Sequence, residues 1–271
     1  MKLNLMTLGL QRSSSLLFKD SGTKSPTRSF YGGARPKTKI SLTLVLLLLL
    51  CPLYAQELSG TFRKEVKAAI AVQYILQLPE KQTEKMPLLV FLHGSGERGT
   101  DVSLVKKNGP FTYPELIPKD LAILAPQCPA DQWWNTDDVY ELIQFICEKY
   151  SIDTTRIYLT GLSMGGWGTW KLATERPELF AAVAPVCGVT DLQILDAVSV
   201  LKNTPVHIYH GALDDIVLPQ MSLEIYQHLK KVNPTSSLTI FPNDNHNSWD
   251  STYSDPKFYE WIYAQKKITK N

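Results

Sequence analysis

Between Arg156 and Trp170 the chain reads RIYLTGLSMGGWGTW, and this stretch leaves the rest little freedom. Ile157–Leu162 reads as a buried strand. A helix begins at once at Ser163, with no residues spare for a loop. At the junction stand Gly161-Leu162-Ser163-Met164-Gly165, a G-x-S-x-G pattern. So sharp a turn puts the serine on a strained backbone with its hydroxyl raised above the sheet. Side chains two residues before and after it would strike the neighbouring strand and helix, so glycine suits both positions. The following helix aims the positive end of its dipole, and the N–H of Met164, at the place where negative charge would develop.

The N-terminal fifth of the sequence has a different character. Residues 1–39 carry eight Lys/Arg and one Asp; Ile40–Leu50 is a dense apolar run; Cys51-Pro-Leu-Tyr-Ala55 follows. A basic segment, a short apolar segment and a small residue at the end make a secretory leader, with cleavage expected after Ala55. The apolar run is short for a membrane span, so an uncleaved N-terminal anchor is the second reading. Cys51 is preceded by a bulky Leu50, which disfavours lipid attachment. The whole chain has a net charge of 28 − 26 = +2, but without the leader it is (28 − 8) − (26 − 1) = −5. The basicity therefore belongs to targeting, and no basic stripe for nucleic acid remains. The remaining 271 − 55 = 216 residues suit one α/β domain, 56–271. Cys128, Cys147 and Cys187 are an odd set in apolar surroundings, so buried thiols rather than a disulfide framework are expected. No Cys/His spacing suggests a metal site, and no cofactor is implied.

In chain order, Thr61–Lys67 and Ala71–Leu78 read as opening strands, and Gln82–Met86 as a polar turn. Pro87–Leu92 is an uninterrupted apolar run, expected to be a central parallel strand. It ends in His93-Gly94-Ser95-Gly96-Glu97-Arg98-Gly99, a loop whose glycines let a backbone N–H approach a ligand oxygen. The N–H of Ser95 is the first candidate and that of Gly96 the second; His93 is expected to brace the loop. Leu121–Pro126 is the next strand. Trp133 and Trp134 follow it, where ligands bind in such sheets; lining a cleft and packing beneath the loop are both open to them. A helix is expected over Thr136–Tyr150, a turn at Ser151–Thr155, a strand over Leu179–Val186, a helix near Asp191–Leu201 and a strand over Pro205–His210. A helix near Leu218–Lys230, a strand over Ser237–Pro242 and a helix over Pro256–Lys266 complete the chain. Alternating buried strands and helices predict a mostly parallel, doubly wound sheet with helices on both faces. Only about 16 residues separate the strand near Gly188 from Pro205. They hold one helix and no lid domain, so an open site suited to bulky or extended esters is expected.

A serine nucleophile needs a base, and the base needs an acid to hold its tautomer. Of the five histidines, His93, His207 and His210 precede the acidic loop after the strand at Pro205, and His228 falls within a helix. His246, in the loop after the last strand, is left as the base. The acid is Asp214, with Asp215 as the alternative.

Leu-His93-Gly-Ser-Gly-Glu-Arg-Gly, Ala-Pro126-Gln-Cys-Pro, Gly-Leu-Ser163-Met-Gly-Gly, His210-Gly-Ala-Leu-Asp214 and His246-Asn-Ser-Trp249-Asp occur in order. Together they resemble secreted α/β-hydrolases described as phospholipase/carboxylesterases, polyhydroxybutyrate-depolymerase-like esterases or peptidases of the prolyl oligopeptidase type. The resemblance runs from about Leu88 to Trp261. It implies an α/β-hydrolase fold, Ser163 as nucleophile, Asp214 as acid, His246 as base, and Met164 and Ser95 as oxyanion-hole donors. The expected activity is that of a secreted or periplasmic carboxylesterase on a small-molecule or polysaccharide-linked ester, with Trp133, Trp134 and Trp249 as candidate substrate contacts. A serine peptidase or thioesterase is the second expectation, and a non-catalytic binding module on the same scaffold the third. No nucleic-acid partner and no stable membrane insertion after leader cleavage are expected.

Overall fold

The apolar run after Lys85 forms strand β2, Met86–Leu92, with all seven residues buried. The structure, a computed structural model, describes residues 69–79 and 84–267. They belong to one compact unit, Val66–Asn271. The expected leader over 1–55, with Cys51, the strand at Thr61–Lys67 and the start of the turn at Gln82 lie outside the described residues. Among the described residues no helix is long and apolar enough to cross a membrane.

β2 lies in a seven-stranded sheet with β1 (Tyr74–Gln77), β3 (Ala122–Pro126), β4 (Ile152–Leu162), β5 (Ala182–Val186), β6 (His207–Gly211) and β7 (Ser237–Phe241). The order is β1-β3-β2-β4-β5-β6-β7. Only β1 runs antiparallel to its neighbour; β3 through β7 pair in parallel. Side chains alternate across a strand, so the sheet has two apolar faces. Leu88, Val90 and Leu92 enter one cluster, Leu89 and Phe91 the other.

The first face is covered by α1 (Thr136–Lys149), α2 (Met164–Glu175), α3 (Leu192–Ala197) and α4 (Pro219–Lys230). Val139, Leu142, Ile143 and Ile146 of α1 follow the 3.6-residue period and point inward. Asn135 caps α1 by accepting the N–H groups of Asp137 and Asp138. The second face is covered by short 3-10 turns before β3, by α5 (Trp249–Tyr253) and by α6 (Pro256–Tyr263). Each fully buried Leu, Ile, Val or Phe contributes about 1.5–3 kcal/mol, and both faces are built from such residues.

Some local expectations change. Ser151–Thr155 is not a separate turn. Asp153 accepts bonds from Thr155 and Arg156, as turn residues do, yet Ile152 pairs with Met86, and the turn is absorbed in β4 as a register shift before Ile157 pairs with Leu88. Three 3-10 turns between Val102 and Leu116, and helix α5, are too short for a periodic signal; prolines open two of the turns. Between β5 and β6 there is α3 and one further 3-10 turn, Val198–Asn203.

The tightest packing lies where β4 meets α2. A Cβ on Gly165 would stand 1.9 Å from the carbonyl oxygen of Leu92, and one on Gly161 would stand 2.4 Å from that of Gly165. Neither neighbour is a movable side chain. Gly165→Ala is expected to cost more than the roughly 1–3 kcal/mol of ordinary overpacking. Urea denaturation measures this, and an unchanged midpoint would refute the packing argument.

Candidate active site

Ser163 occupies the joint that this packing creates. Its backbone is at φ 54° and ψ −115°, a region that costs a non-glycine residue about 1–3 kcal/mol. Its N–H donates to Val186 O at 3.0 Å, which fastens the joint to the neighbouring strand. Met164 is the first residue of α2, where an N–H has no partner within the helix. The serine is half-buried, and its Oγ lies 2.9 Å from His246 Nε2.

β6 and β7 deliver the other two groups. A Cβ on Gly211 would lie 2.2 Å from Asn245 O and 2.5 Å from Asp244 O, so the loop carrying His246 lies directly against the end of β6. Leu213 N–H to Asp244 O, at 2.8 Å, ties the two loops together. Asp214 is 3% exposed, whereas Asp215 is exposed. Asp214 Oδ1 accepts the N–H groups of Ile216 and Val217 at 3.0 and 2.9 Å, and Oδ2 lies 2.8 Å from His246 Nδ1. Burial pushes the Asp214 carboxyl up, but the bonds from His246, Val217 and Ile216 outweigh it and hold the group below the ordinary value. An ionised Asp214 only accepts, so His246 Nδ1 carries the hydrogen and Nε2 is left to accept from the Ser163 hydroxyl.

The loop after β2 forms one 3-10 turn, Ser95–Glu97. Ser95 and Gly96 are exposed, whereas the Gly94 N–H is taken by Glu97 Oε2 at 3.0 Å. Glu97 is 4% exposed, and its other oxygen accepts from Asn108 Nδ2 at 2.7 Å. His93 Nδ1–H donates to Gly94 O at 2.7 Å, and Nε2 accepts the Cys128 N–H at 3.0 Å. Burial pulls the His93 pKa below its ordinary value, which suits this neutral tautomer. Arg98 Nε holds the Ser95 carbonyl at 3.0 Å. Glu97 was not singled out in the sequence; an acid between two glycines was the available signal.

The tryptophans separate. Trp133 is 53% exposed and meets Trp167 edge-on at 5.1 Å; Trp167 Nε1 donates to Asp191 Oδ2 at 3.0 Å. Trp249 packs edge-on against the His246 ring at 5.4 Å. Trp134 corrects the expectation of a substrate contact. It is 4% exposed, its Nε1–H donates to His93 O at 3.3 Å, and its ring abuts His93, so it supports the loop from beneath. Cys128, Cys147 and Cys187 are free thiols. Cys187 lies beside the site, its sulfur within 4.8 Å of ligand atoms of Asp214 and His246. Burial pushes that thiol up to about 12, so it stays protonated.

Two stability measurements follow. Ser163→Gly is expected to be at least as stable as Ser163→Ala: relief of the positive φ offsets the entropy cost of glycine, about 0.5–1 kcal/mol. A lower melting temperature for the glycine variant would contradict the strain. Asp214 has a folded pKa below its ordinary 3.8, so its stabilisation is present above 3.8 and lost as the pH falls through the lower, folded value. The stability gap between wild type and Asp214→Asn, read by urea denaturation, should therefore shrink below pH 3.8. A gap that widens on acidification would reverse the sign.

Comparison with known proteins agrees with this architecture. The prolyl oligopeptidase family model matches residues 132–199 and 193–267, which together run over 132–267, half of the 271 residues. Feruloyl esterase B of Neurospora crassa is 24% identical over 202 residues, covering 57% of this chain and 68% of that protein. Poly(3-hydroxyoctanoate) depolymerase of Pseudomonas fluorescens is 28% identical over 139 residues, 41% of this chain and 48% of that one. The crystal structure of a thermostable esterase superposes with a TM-score of 0.65 at 32% identity, covering 72% of this chain and 59% of that one. The chain thus spans about half to two thirds of the length of these relatives, with the α/β-hydrolase fold in common. It is a member of the prolyl oligopeptidase family.

Proposed function

We propose that the protein is a secreted serine carboxylesterase. The observation that carries the reading is the unbroken series of bonds Ser163 Oγ to His246 Nε2 at 2.9 Å and His246 Nδ1 to Asp214 Oδ2 at 2.8 Å. In this reading His246 takes the Ser163 proton as the oxygen attacks an ester carbonyl. The Met164 and Ser95 N–H groups hold the oxyanion, each donor contributing about 2.7–4 kcal/mol. His246 then protonates the leaving alcohol, and water repeats the sequence on the acyl-enzyme. Asp214 stays ionised throughout and stabilises the imidazolium.

Esterase relatives support ester over amide substrates. Exposed Trp133, resting on Trp167 one helical turn after Ser163, and exposed Leu213 and Ile216 flanking the Asp214 loop, support a bulky or polymer-linked ester. Trp249 beside His246 is a further candidate contact. In the proposed arrangement residues 1–55 are the leader and 56–271 the catalytic domain. The family to which the chain belongs favours a second reading, a serine peptidase, and the same groups would serve a thioesterase.

Hydrolysis of p-nitrophenyl acetate, butyrate and longer esters, beside peptide and thioester substrates, separates these readings. Wild type is expected to cleave esters, and Ser163→Ala to lose roughly 10⁶-fold in kcat. Preference for peptides would favour the second reading; an active Ser163→Ala would sink both.

A further inference from the structure

His210 is the penultimate residue of β6 and is fully buried. Its Nε2 lies 3.1 Å from Asp214 Oδ2 and 2.8 Å from Val217 O, while Nδ1 lies 2.7 Å from Ser222 Oγ on α4. Both neighbours of Nε2 are acceptors, so Nε2 carries the hydrogen and shares it between them. Nδ1 then accepts the Ser222 hydroxyl. Burial draws His210 towards the neutral form, although the Val217 carbonyl and Asp214 pull the other way.

A carboxylate has about four acceptor sites, and on Asp214 four donors meet it. Ile216 and Val217 fill Oδ1; His246 and His210 share Oδ2. Without His210, Oδ2 would be held by His246 alone, the one partner that must change its charge during the reaction. The Cβ–carboxyl torsion of an aspartate is broad and gives little intrinsic restraint. Three immobile donors leave the carboxylate nowhere to turn when His246 moves.

We propose that His210 is a positioning residue: it acts on the reaction only through Asp214, pinning Oδ2 towards His246. Both its ring nitrogens are engaged within β6, α4 and the Asp214 loop, so it is not an alternative base. The proposal rests on the reading of Ser163, His246 and Asp214 as the catalytic series.

Two amide substitutions in the full chain distinguish this from ordinary core packing. Glutamine at this site can set an amide N–H where Nε2 stood; asparagine reaches only to the Nδ1 level and leaves Asp214 without the donor. His210→Asn is expected to lower kcat about 10–100-fold with KM within about 2-fold, the size of effect a small misplacement has. His210→Gln should return to within about 3-fold of wild type, and in an Asp214→Ala background His210→Asn should have no further effect on kcat. Ser222→Ala loosens His210 without touching Asp214 and should cost a few-fold in kcat alone, which keeps the test valid if an amide variant does not fold. Asparagine and glutamine variants impaired equally, or a His210→Asn penalty that survives without Asp214, would overturn the proposal. So would an active wild type whose His210→Asn or Ser222→Ala variant, folded, keeps full kcat. A wild type inert towards esters, peptides and thioesters would instead sink the hydrolase reading beneath it.

Discussion

The end of β2, the end of β4 and the first turn of α2 share a space that admits no side chain at Gly161 or Gly165. Everything near the site depends on that crowding. Because backbone meets backbone, the strand cannot unwind gradually into the helix. The whole change of direction falls on Ser163, which is driven to φ 54°. The same proximity sets the start of the loop after β2, at Leu92 and His93, against Gly165 in the first turn of α2. Strain of about 1–3 kcal/mol is tolerable because the two clusters beneath over-determine the joint.

Electrostatics at the other end of the site follow a different economy. Burying a carboxylate is costly unless its acceptor sites are filled. Asp214 meets that requirement with two backbone N–H groups, supplied by the turn that it itself caps, and with two histidines. The loop after β2 solves the same problem with Glu97, whose oxygens take Gly94 N–H and Asn108 Nδ2. In both places a buried acid organises a loop from inside, so that exposed atoms beside it hold still without touching it.

This division explains what could be read in advance. β2 and β3 announce themselves as apolar runs, and the G-x-S-x-G pattern at the end of β4 carries its own steric reason. Ser163 could be picked by its motif and His246 by order and elimination, whereas order left Asp214 beside Asp215; the fold brings Ser163, His246 and Asp214 together. His210 and Glu97 could not be read the same way, because each owes its role to partners far off or across a turn: Ser222 and Val217 for one, Asn108 and Gly94 for the other. Trp133 and Trp134 show the limit most directly. Adjacent and identical, they are separated only by which one the His93 carbonyl and ring can receive. The stretch 151–155 keeps its turn chemistry as an irregularity within β4, between the pairs Ile152–Met86 and Ile157–Leu88.

Parallel pairing has a last consequence. β2 through β7 all run the same way, so their carboxyl ends open on one edge of the sheet. Ser95 follows β2, Cys128 and Trp133 follow β3, Ser163 follows β4, Cys187 follows β5, Asp214 follows β6 and His246 follows β7. Every parallel strand therefore sends a loop to this edge, where ligands bind in such sheets. Only three of the six loops supply the hydrogen-bonded series Ser163, His246 and Asp214. The Trp133 loop after β3, exposed and anchored through Trp134 to His93, is the place where a change of substrate would cost the chemistry least.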